Sequence, residues 1–211
     1  AGVSLNDVEF FAHGTTVVIN ALTERKGVKT ALITTKGFRD ILEIARGNRP
    51  DFFNLKYQKP EPFIPRYLRR EIAGRMDYKG EILMPLDVSG IEPIIEGFRK
   101  EGVEAIAVCL LHSYANPMHE IEIAEHIRKT WPDVSVVASH EISREWREYE
   151  RTNTAAVCAY VQPTTEQYLG KLETRLQEED FKGVFYVMQS NGGIDTVTAT
   201  KRTPISIVES G

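Results

Sequence analysis

The stretch Phe10-Phe11-Ala12-His13-Gly14-Thr15-Thr16-Val17-Val18-Ile19-Asn20-Ala21-Leu22 decides how the rest of this 211-residue chain reads. A short run of β-forming apolar residues ends at His13-Gly14, and two hydroxyls follow. Apolar residues return at Val17, Val18, Ala21 and Leu22, with polar Asn20 between them. This change of spacing predicts a strand, a glycine turn and the first turn of a helix. Gly14 permits a sharp reversal, and the Thr15 or Thr16 hydroxyl can accept a bond from one of the helix's unpaired N–H groups. Such a corner presents hydroxyls and backbone donors to an anion or polar ligand. The plainer alternative is that the threonines only cap the helix and His13 only satisfies a buried carbonyl.

Outward from this corner the alternation continues. Gly27 stops the first helix, and residues 28–35 read as a strand buried on both faces. Lys36-Gly37 then turns the chain into a second helix through Phe38, Ile41, Leu42 and Ile44. Strand, helix, strand, helix is the α/β pattern. Periodicity is lost from Arg46 to Arg66, where Pro50, Pro60, Pro62 and Pro65 exclude a regular helix and predict a long ordered loop with aromatic anchors. Within it, Arg46 and Arg49 either grip a carboxylate, phosphate or ring carbonyl, or tie down the loop's own carbonyls.

Residues 67–86 read as a hairpin turning at Tyr78-Lys79-Gly80, residues 91–100 as a helix, and residues 103–111 as the most apolar strand, central in its sheet. His112, His119 and Glu120 follow at that strand's carboxyl end, where open α/β sheets place ligands. Asn116 can cap a helix from Pro117 to Trp131. Adjacent His119 and Glu120 point about 100° apart on a helix and do not share a face, so packing and capping are preferred to a metal site. After a strand at 134–138, Glu148, Arg151 and Thr152 share one helical face. That helix runs to Val161, and Pro163 ends or restarts it before an amphipathic helix from Tyr168 to Leu176. If the shared face borders a cleft, Arg151 holds an anionic group. The last strand, Val184 to Met188, runs into Gln189-Ser190-Asn191-Gly192-Gly193. Paired glycines let backbone N–H groups approach a phosphate, although Asn-Gly is equally an ordinary turn.

Composition narrows the class of function. The 26 basic and 30 acidic residues give a net charge of −4 and no basic face, so neither nucleic acid nor an anionic membrane is expected as a partner. Apolar residues make up 42% of the chain, enough for a core, yet no run approaches the ~18 residues of a membrane span. Cys109 and Cys158 lie in apolar surroundings and suit reduced, buried thiols in a cytoplasmic protein. The chain starts without methionine and stops as a turn begins, so a fragment is expected.

His13-Gly14-Thr15-Thr16 with Asn20-Ala21-Leu22 and Arg25-Lys26-Gly27 resembles the opening signature of the hydantoinase A / 5-oxoprolinase family. Asn116-Pro117 with His119-Glu120, the stretch from Ser139 to Thr154, and the run from Met188 to Gly193 are similar to it as well. The resemblance implies a mixed α/β fold, sheets with flanking helices, forming part of an actin/sugar-kinase-like (ribonuclease H-like) architecture that lacks its two phosphate loops. It implies an N-terminal hydantoinase/oxoprolinase α/β domain over residues 1–140 and the start of a hydantoinase A domain over 141–211. In the full-length protein, ATP with Mg would phosphorylate a carbonyl oxygen of a hydantoin or lactam so that the ring opens. The alternative chemistry is carboxylation of a ketone such as acetone or acetophenone.

Combined with the residue reading, the catalytic candidates are His13 and Arg151. The substrate-binding candidates are Thr15, Thr16, Asn20, Arg46, Arg49, Ser190, Asn191, Gly192 and Gly193. No cofactor and no metal is expected in this piece, and the expected partners are a small-molecule substrate and a B-type subunit. A non-catalytic alternative makes the segment a docking scaffold for that subunit, with the aromatic loop from Phe52 to Tyr67 as the interface. A free-standing kinase-like ATPase is disfavoured by the missing phosphate loops. The catalytic reading requires His13, Arg151 and Asn191 to meet at the carboxyl edge of one sheet.

Overall fold

Short β-forming runs of two to six residues become strands, and the amphipathic stretches between them become helices. A computed structural model describes residues 5–47 and 53–210. In chain order the elements are β1 (Phe10–His13), α1 (Val17–Thr23), β2 (Thr30–Thr35), the single turn α2 (Ile41–Ile44), β3 (Arg69–Ile72), β4 (Arg75–Met76), β5 (Ile82–Met84) and α3 (Ile91–Lys100). They continue with β6 (Ala105–Cys109), α4 (Met118–Thr130), β7 (Ser135–Ala138), the single turn α5 (Ser139–Ile142), α6 (Glu148–Glu178), β8 (Val184–Met188), β9 (Ile194–Thr196) and α7 (Val197–Arg202). This is the mixed α/β class expected from the sequence.

The chain forms two compact units, one of Ala1–Val28 with Tyr160–Gly211 and one of Lys29–Ala159. These units are discontinuous in sequence, whereas the boundary expected at residue 140 divides the chain linearly. In the first unit the strand order is β1-β8-β9. β1 runs parallel to β8 with His13 opposite Val187, and β9 returns antiparallel to β8. In the second, β3-β2-β6-β7 is parallel throughout, and every residue of β2 and β6 is buried. Burial on both faces explains why these two strands read as continuous apolar runs. α3 buries Ile91, Ile95 and Phe98, and α4 buries Glu120, Ile123, Ala124 and Ile127, in each case an i, i+3/i+4, i+7 stripe of a surface helix.

Three expectations are corrected. The second helix is only the turn Ile41–Ile44, because the Glu71 carboxylate accepts from the N–H groups of Gly37 (2.7 Å) and Arg39 (3.2 Å) and holds the preceding segment as a turn. The hairpin is confined to β4 and β5. Its expected first arm is broken at Gly74, whose φ of +153° suits glycine, and Arg69–Ile72 pairs with β2 instead. Pro163 neither ends nor restarts a helix, since α6 continues through it over 31 residues. A proline costs about 3 kcal/mol inside a helix. Burial of Ala155 to Val161 before it and Leu169 after it offsets that loss.

Two glycines are irreplaceable for different reasons, which gives a paired test. A Cβ at Gly183 would lie 2.4 Å from the Glu9 carbonyl oxygen and 2.5 Å from that of Val8, where the chain enters β1. Gly183→Ala is therefore expected to destabilise the chain by about 3 kcal/mol through overpacking against backbone. Gly102 meets nothing within 4 Å but has φ +65°, so Gly102→Ala should cost about 1 kcal/mol of strain. Urea unfolding followed by circular dichroism reads both.

Candidate functional site

Parallel pairing brings the carboxyl ends of β1 and β8 together, so Gly14-Thr15-Thr16 and the residues after Met188 share one edge of the three-stranded sheet. Thr15 is only 8% exposed, and its hydroxyl accepts from the Val17 N–H at 3.3 Å. Thr16 occupies the N-cap position of α1, but its hydroxyl accepts from Asn20 Nδ2 at 3.2 Å rather than from a helix N–H. Gly14 has no left-handed φ, so its part in the corner is close approach rather than reversal. A Cβ there would lie 2.9 Å from the Ser210 carbonyl oxygen and 3.4 Å from Met188 Sδ.

The segment after α7 completes the corner. The Ser210 hydroxyl donates to the Thr15 carbonyl at 3.1 Å, the Glu209 N–H donates to Ser190 Oγ at 2.9 Å, and the Ser190 N–H donates to the Ser206 carbonyl at 2.9 Å. The parts of Ser206, Glu209 and Ser210 in this corner carried no signal in the sequence, because their partners are residues distant along the chain.

Of the two readings of the paired glycines, the structure forms the turn. The Gly192 N–H bonds the Gln189 carbonyl at 3.0 Å, the Gln189 N–H bonds the Gly193 carbonyl at 2.8 Å, and the Gly193 N–H bonds Asn191 Oδ1 at 2.8 Å. Gly192 has φ +84°, as such a turn requires. Asn191, Gly192 and Gly193 are exposed, and their sheet-end position places them beside the Thr15 corner.

His13 is half-buried on the same face of β1 as Phe11. Its ring stacks 6.1 Å from that of Phe11 and 5.9 Å from that of Tyr168, and it lies 6.4 Å from the ring of Phe185. Its Nε2 is 2.7 Å from the Tyr168 hydroxyl oxygen. Burial lowers its pKa below the ordinary 6.5, so the imidazole is neutral at pH 7. Tyr168 was legible only as an apolar position of an amphipathic helix.

Arg151 belongs to the other unit and is 1% exposed. Its Nη2 donates to the Leu110 carbonyl at 2.5 Å, Nη1 to the Glu145 carbonyl at 2.7 Å and Nε to Ser139 Oγ at 3.1 Å. The Ser139 hydroxyl donates in turn to the wholly buried Glu120 carboxylate at 2.7 Å. That carboxylate also accepts from the Leu110 N–H (2.8 Å), the His140 N–H (3.0 Å) and His140 Nδ1 (2.8 Å). Arg151 and Glu120 thus tie the carboxyl ends of β6 and β7 to each other and to the start of α6.

The cleft beside them, lined by Thr34, Cys109, Glu148, Arg151 and Thr152, leaves essentially no space even for a water molecule (≈ 0 Å³), so it is not a small-molecule pocket. Burial pushes the Cys109 thiol up, and the Thr152 hydroxyl donates to its sulfur at 3.2 Å. Arg46 is ion-paired with Glu150, while Arg49 and Phe52 lie outside the described residues.

The expectation of one shared sheet edge is corrected: His13 and Asn191 flank the three-stranded sheet, and Arg151 caps the four-stranded one. The reason is that the chain builds its two sheets in separate units. Among the described residues no group of three His, Cys, Asp or Glu side chains is arranged to hold a metal ion, and no helix is long and apolar enough to cross a membrane.

Comparison with known proteins gives consistent relatives. Residues 1–131 match the family model described as the hydantoinase/oxoprolinase N-terminal region, and residues 151–211 match the hydantoinase/oxoprolinase model. The chain is 35% identical to the caprolactamase subunit alpha of Pseudomonas jessenii, over 97% of this chain and 30% of that protein. It is 32% identical to the acetophenone carboxylase gamma subunit of Aromatoleum aromaticum, over 88% of this chain and 27% of that one. The crystal structure of the ATP-dependent caprolactamase of P. jessenii superposes with a TM-score of 0.91 at 34% identity, covering 98% of this chain and 30% of that chain. The chain therefore spans less than a third of the length of these relatives.

Removing the Glu120 carboxylate strands the Leu110 and His140 donors and the Arg151–Ser139 arm. Glu120→Ala is expected to cost about 3–5 kcal/mol in urea unfolding. A second measurement concerns pH. His13, His112 and His119 all have pKa values lowered mainly by burial. The unfolded chain therefore binds protons at higher pH than the folded one. Their stabilising contribution is complete above 6.5 and is lost as pH falls from there through the folded values. The urea midpoint should drop between pH 7 and pH 5, and His119→Gln should flatten that slope.

Proposed function

The chain belongs to the hydantoinase/oxoprolinase family, and from this premise we propose that the full-length protein is an ATP-dependent cyclic amidohydrolase that opens a lactam or hydantoin ring. The observation that carries the reading is the near-complete superposition on a relative whose own name is that of a lactam-opening enzyme. The proposed partners are a small-molecule cyclic amide and a B-type subunit, in keeping with relatives that are named as subunits.

The Gln189–Gly193 turn does not fit a nucleotide's phosphates. The N–H groups of Gln189, Gly192 and Gly193 are spent inside their own turn, and no acidic or histidine cluster is available for a cation. ATP and Mg are therefore proposed as ligands of the full-length protein, where ATP supplies the driving force that an unreactive amide lacks.

The corner at the ends of β1 and β8 is the part of this chain proposed to face the substrate. Thr15 Oγ and Ser190 Oγ each accept a backbone N–H and keep their own O–H to donate, which suits them to hold a carbonyl or carboxylate oxygen. Thr16 and Asn20 bond each other on the first turn of α1 and fix its approach. The neutral His13 imidazole is the proposed catalytic group. Arg151 and Arg46, whose guanidinium groups are held by Leu110, Glu145, Ser139 and by Glu150, are assigned to positioning.

A second reading, carboxylation of a ketone, draws on the identity with the acetophenone carboxylase subunit. Phosphate release by the full-length protein with its partner subunit separates the two. A hydantoin, caprolactam or 5-oxoproline is expected to stimulate ATP hydrolysis at least about tenfold, and Thr15→Ala to lower kcat/KM by about 10- to 100-fold. Stimulation only by ketone with bicarbonate selects the carboxylase, and stimulation by none of them rejects the reaction class.

A further inference from the structure

In the aromatic layer between β1, β8 and α6, Tyr168 Oη approaches His13 Nε2 at 2.7 Å. A neutral imidazole has one N–H and one lone pair, and the partner of one nitrogen decides the state of the other. Here the phenol is the stronger donor and the imidazole nitrogen the stronger acceptor. The 2.7 Å separation is that of a hydrogen bond, and the phenol-donor arrangement is the one that joins the stronger donor to the stronger acceptor. Among the described residues His13 Nδ1 has no hydrogen-bond partner. The stacked rings of Phe11 and Tyr168 hold the imidazole plane, so its orientation is fixed as well as its proton.

We propose that Tyr168 is the positioning residue for His13, donating its O–H to Nε2 so that the single imidazole proton resides on Nδ1, from which it is offered to a substrate oxygen. His13 then acts as a neutral hydrogen-bond donor to the carbonyl oxygen of a cyclic amide, and it does not act as a base. That last step rests on the corner being the reaction site, as proposed above. The surroundings agree. Burial alone lowers the His13 pKa, with no charged side chain contributing, and the neutral form is the one a phenol donor stabilises.

The assignment is read by long-range ¹H–¹⁵N spectra of the histidine-labelled 211-residue chain, comparing wild type with Tyr168→Phe, which keeps the ring and its packing. In the wild type, His13 is expected to carry its proton on Nδ1 and to titrate below 6.5. In Tyr168→Phe the proton should shift toward Nε2 and the titration midpoint should rise. A wild-type Nε2–H tautomer, or a Tyr168→Phe spectrum unchanged in both respects, overturns the proposal. Turnover of the full-length protein with its partner subunit is the second arm. Tyr168→Phe is expected to lower kcat about tenfold with KM nearly constant and to move the acid limb of the pH profile upward. An imidazole that responds while kcat and the pH profile do not leaves the tautomer assignment standing and removes the corner from the reaction.

Discussion

Parallel strands cannot be joined by a tight turn, and the pairing of β1 with β8 is the constraint from which the rest of this structure follows. Some crossover must carry the chain from His13 back to Val184. α1 leaves from one end of that crossover and α6 returns at the other, and the second unit, Lys29–Ala159, is spelled out between α1 and the middle of α6. The strand pair therefore closes a loop large enough to contain its own four-stranded sheet. Closure entropy grows only slowly with loop length, so an insertion of this size is tolerated once the two ends are held. The close approach of Gly183 to the carbonyls of Val8 and Glu9 is one such hold.

Inside the second unit the corresponding constraint is electrostatic. A carboxylate with no solvent exposure is costly unless each oxygen is satisfied, and Glu120 has four donors on it. Arg151 is satisfied mainly by carbonyl oxygens. Ser139 lies between the two and bonds both. By residue type, Arg151, His140, Ser139 and Glu120 would pass for a catalytic set. Their geometry turns them inward onto one another, and Glu120 and Arg151 also take up the Leu110 N–H and carbonyl just beyond β6. Buried networks of this kind are sensitive to every member, since removing one partner leaves another desolvated.

This difference accounts for what the sequence could and could not tell. Strands whose burial is continuous, such as β2 and β6, and helices with a clean stripe, such as α3, were legible because the signal is local. The pairing of Arg69–Ile72 with β2 was not, because strand partners are chosen across the chain and a nearby turn suggested a hairpin. Pro163 misled for the opposite reason, as a strong local breaker overruled by burial on both sides of it. At the candidate site, Thr15, Ser190 and His13 were legible as polar residues at strand ends. Ser210 and Tyr168 were not, since one bonds a distant carbonyl and the other stands among the apolar residues of a helix.

The four-stranded sheet leaves no room for a ligand at its own switch point. In the four-stranded sheet the order β3-β2-β6-β7 reverses between β2 and β6, because the chain leaves β2 toward β3 and leaves β6 toward β7. A doubly wound sheet normally opens its ligand crevice at such a point. Here Arg151 and Thr152 of α6 lie in it against Cys109 and Thr34, and what is left is smaller than a small-molecule pocket. Thr15 and Ser190 reach the ends of β1 and β8 with unspent O–H groups, and the backbone of Ser210 approaches Gly14 too closely for any larger residue. A side chain at residue 14 would push Ser210 away from Thr15 and disperse the hydroxyls. The glycine is therefore tied to the function proposed for this corner through contact distance, and the turn it permits is incidental.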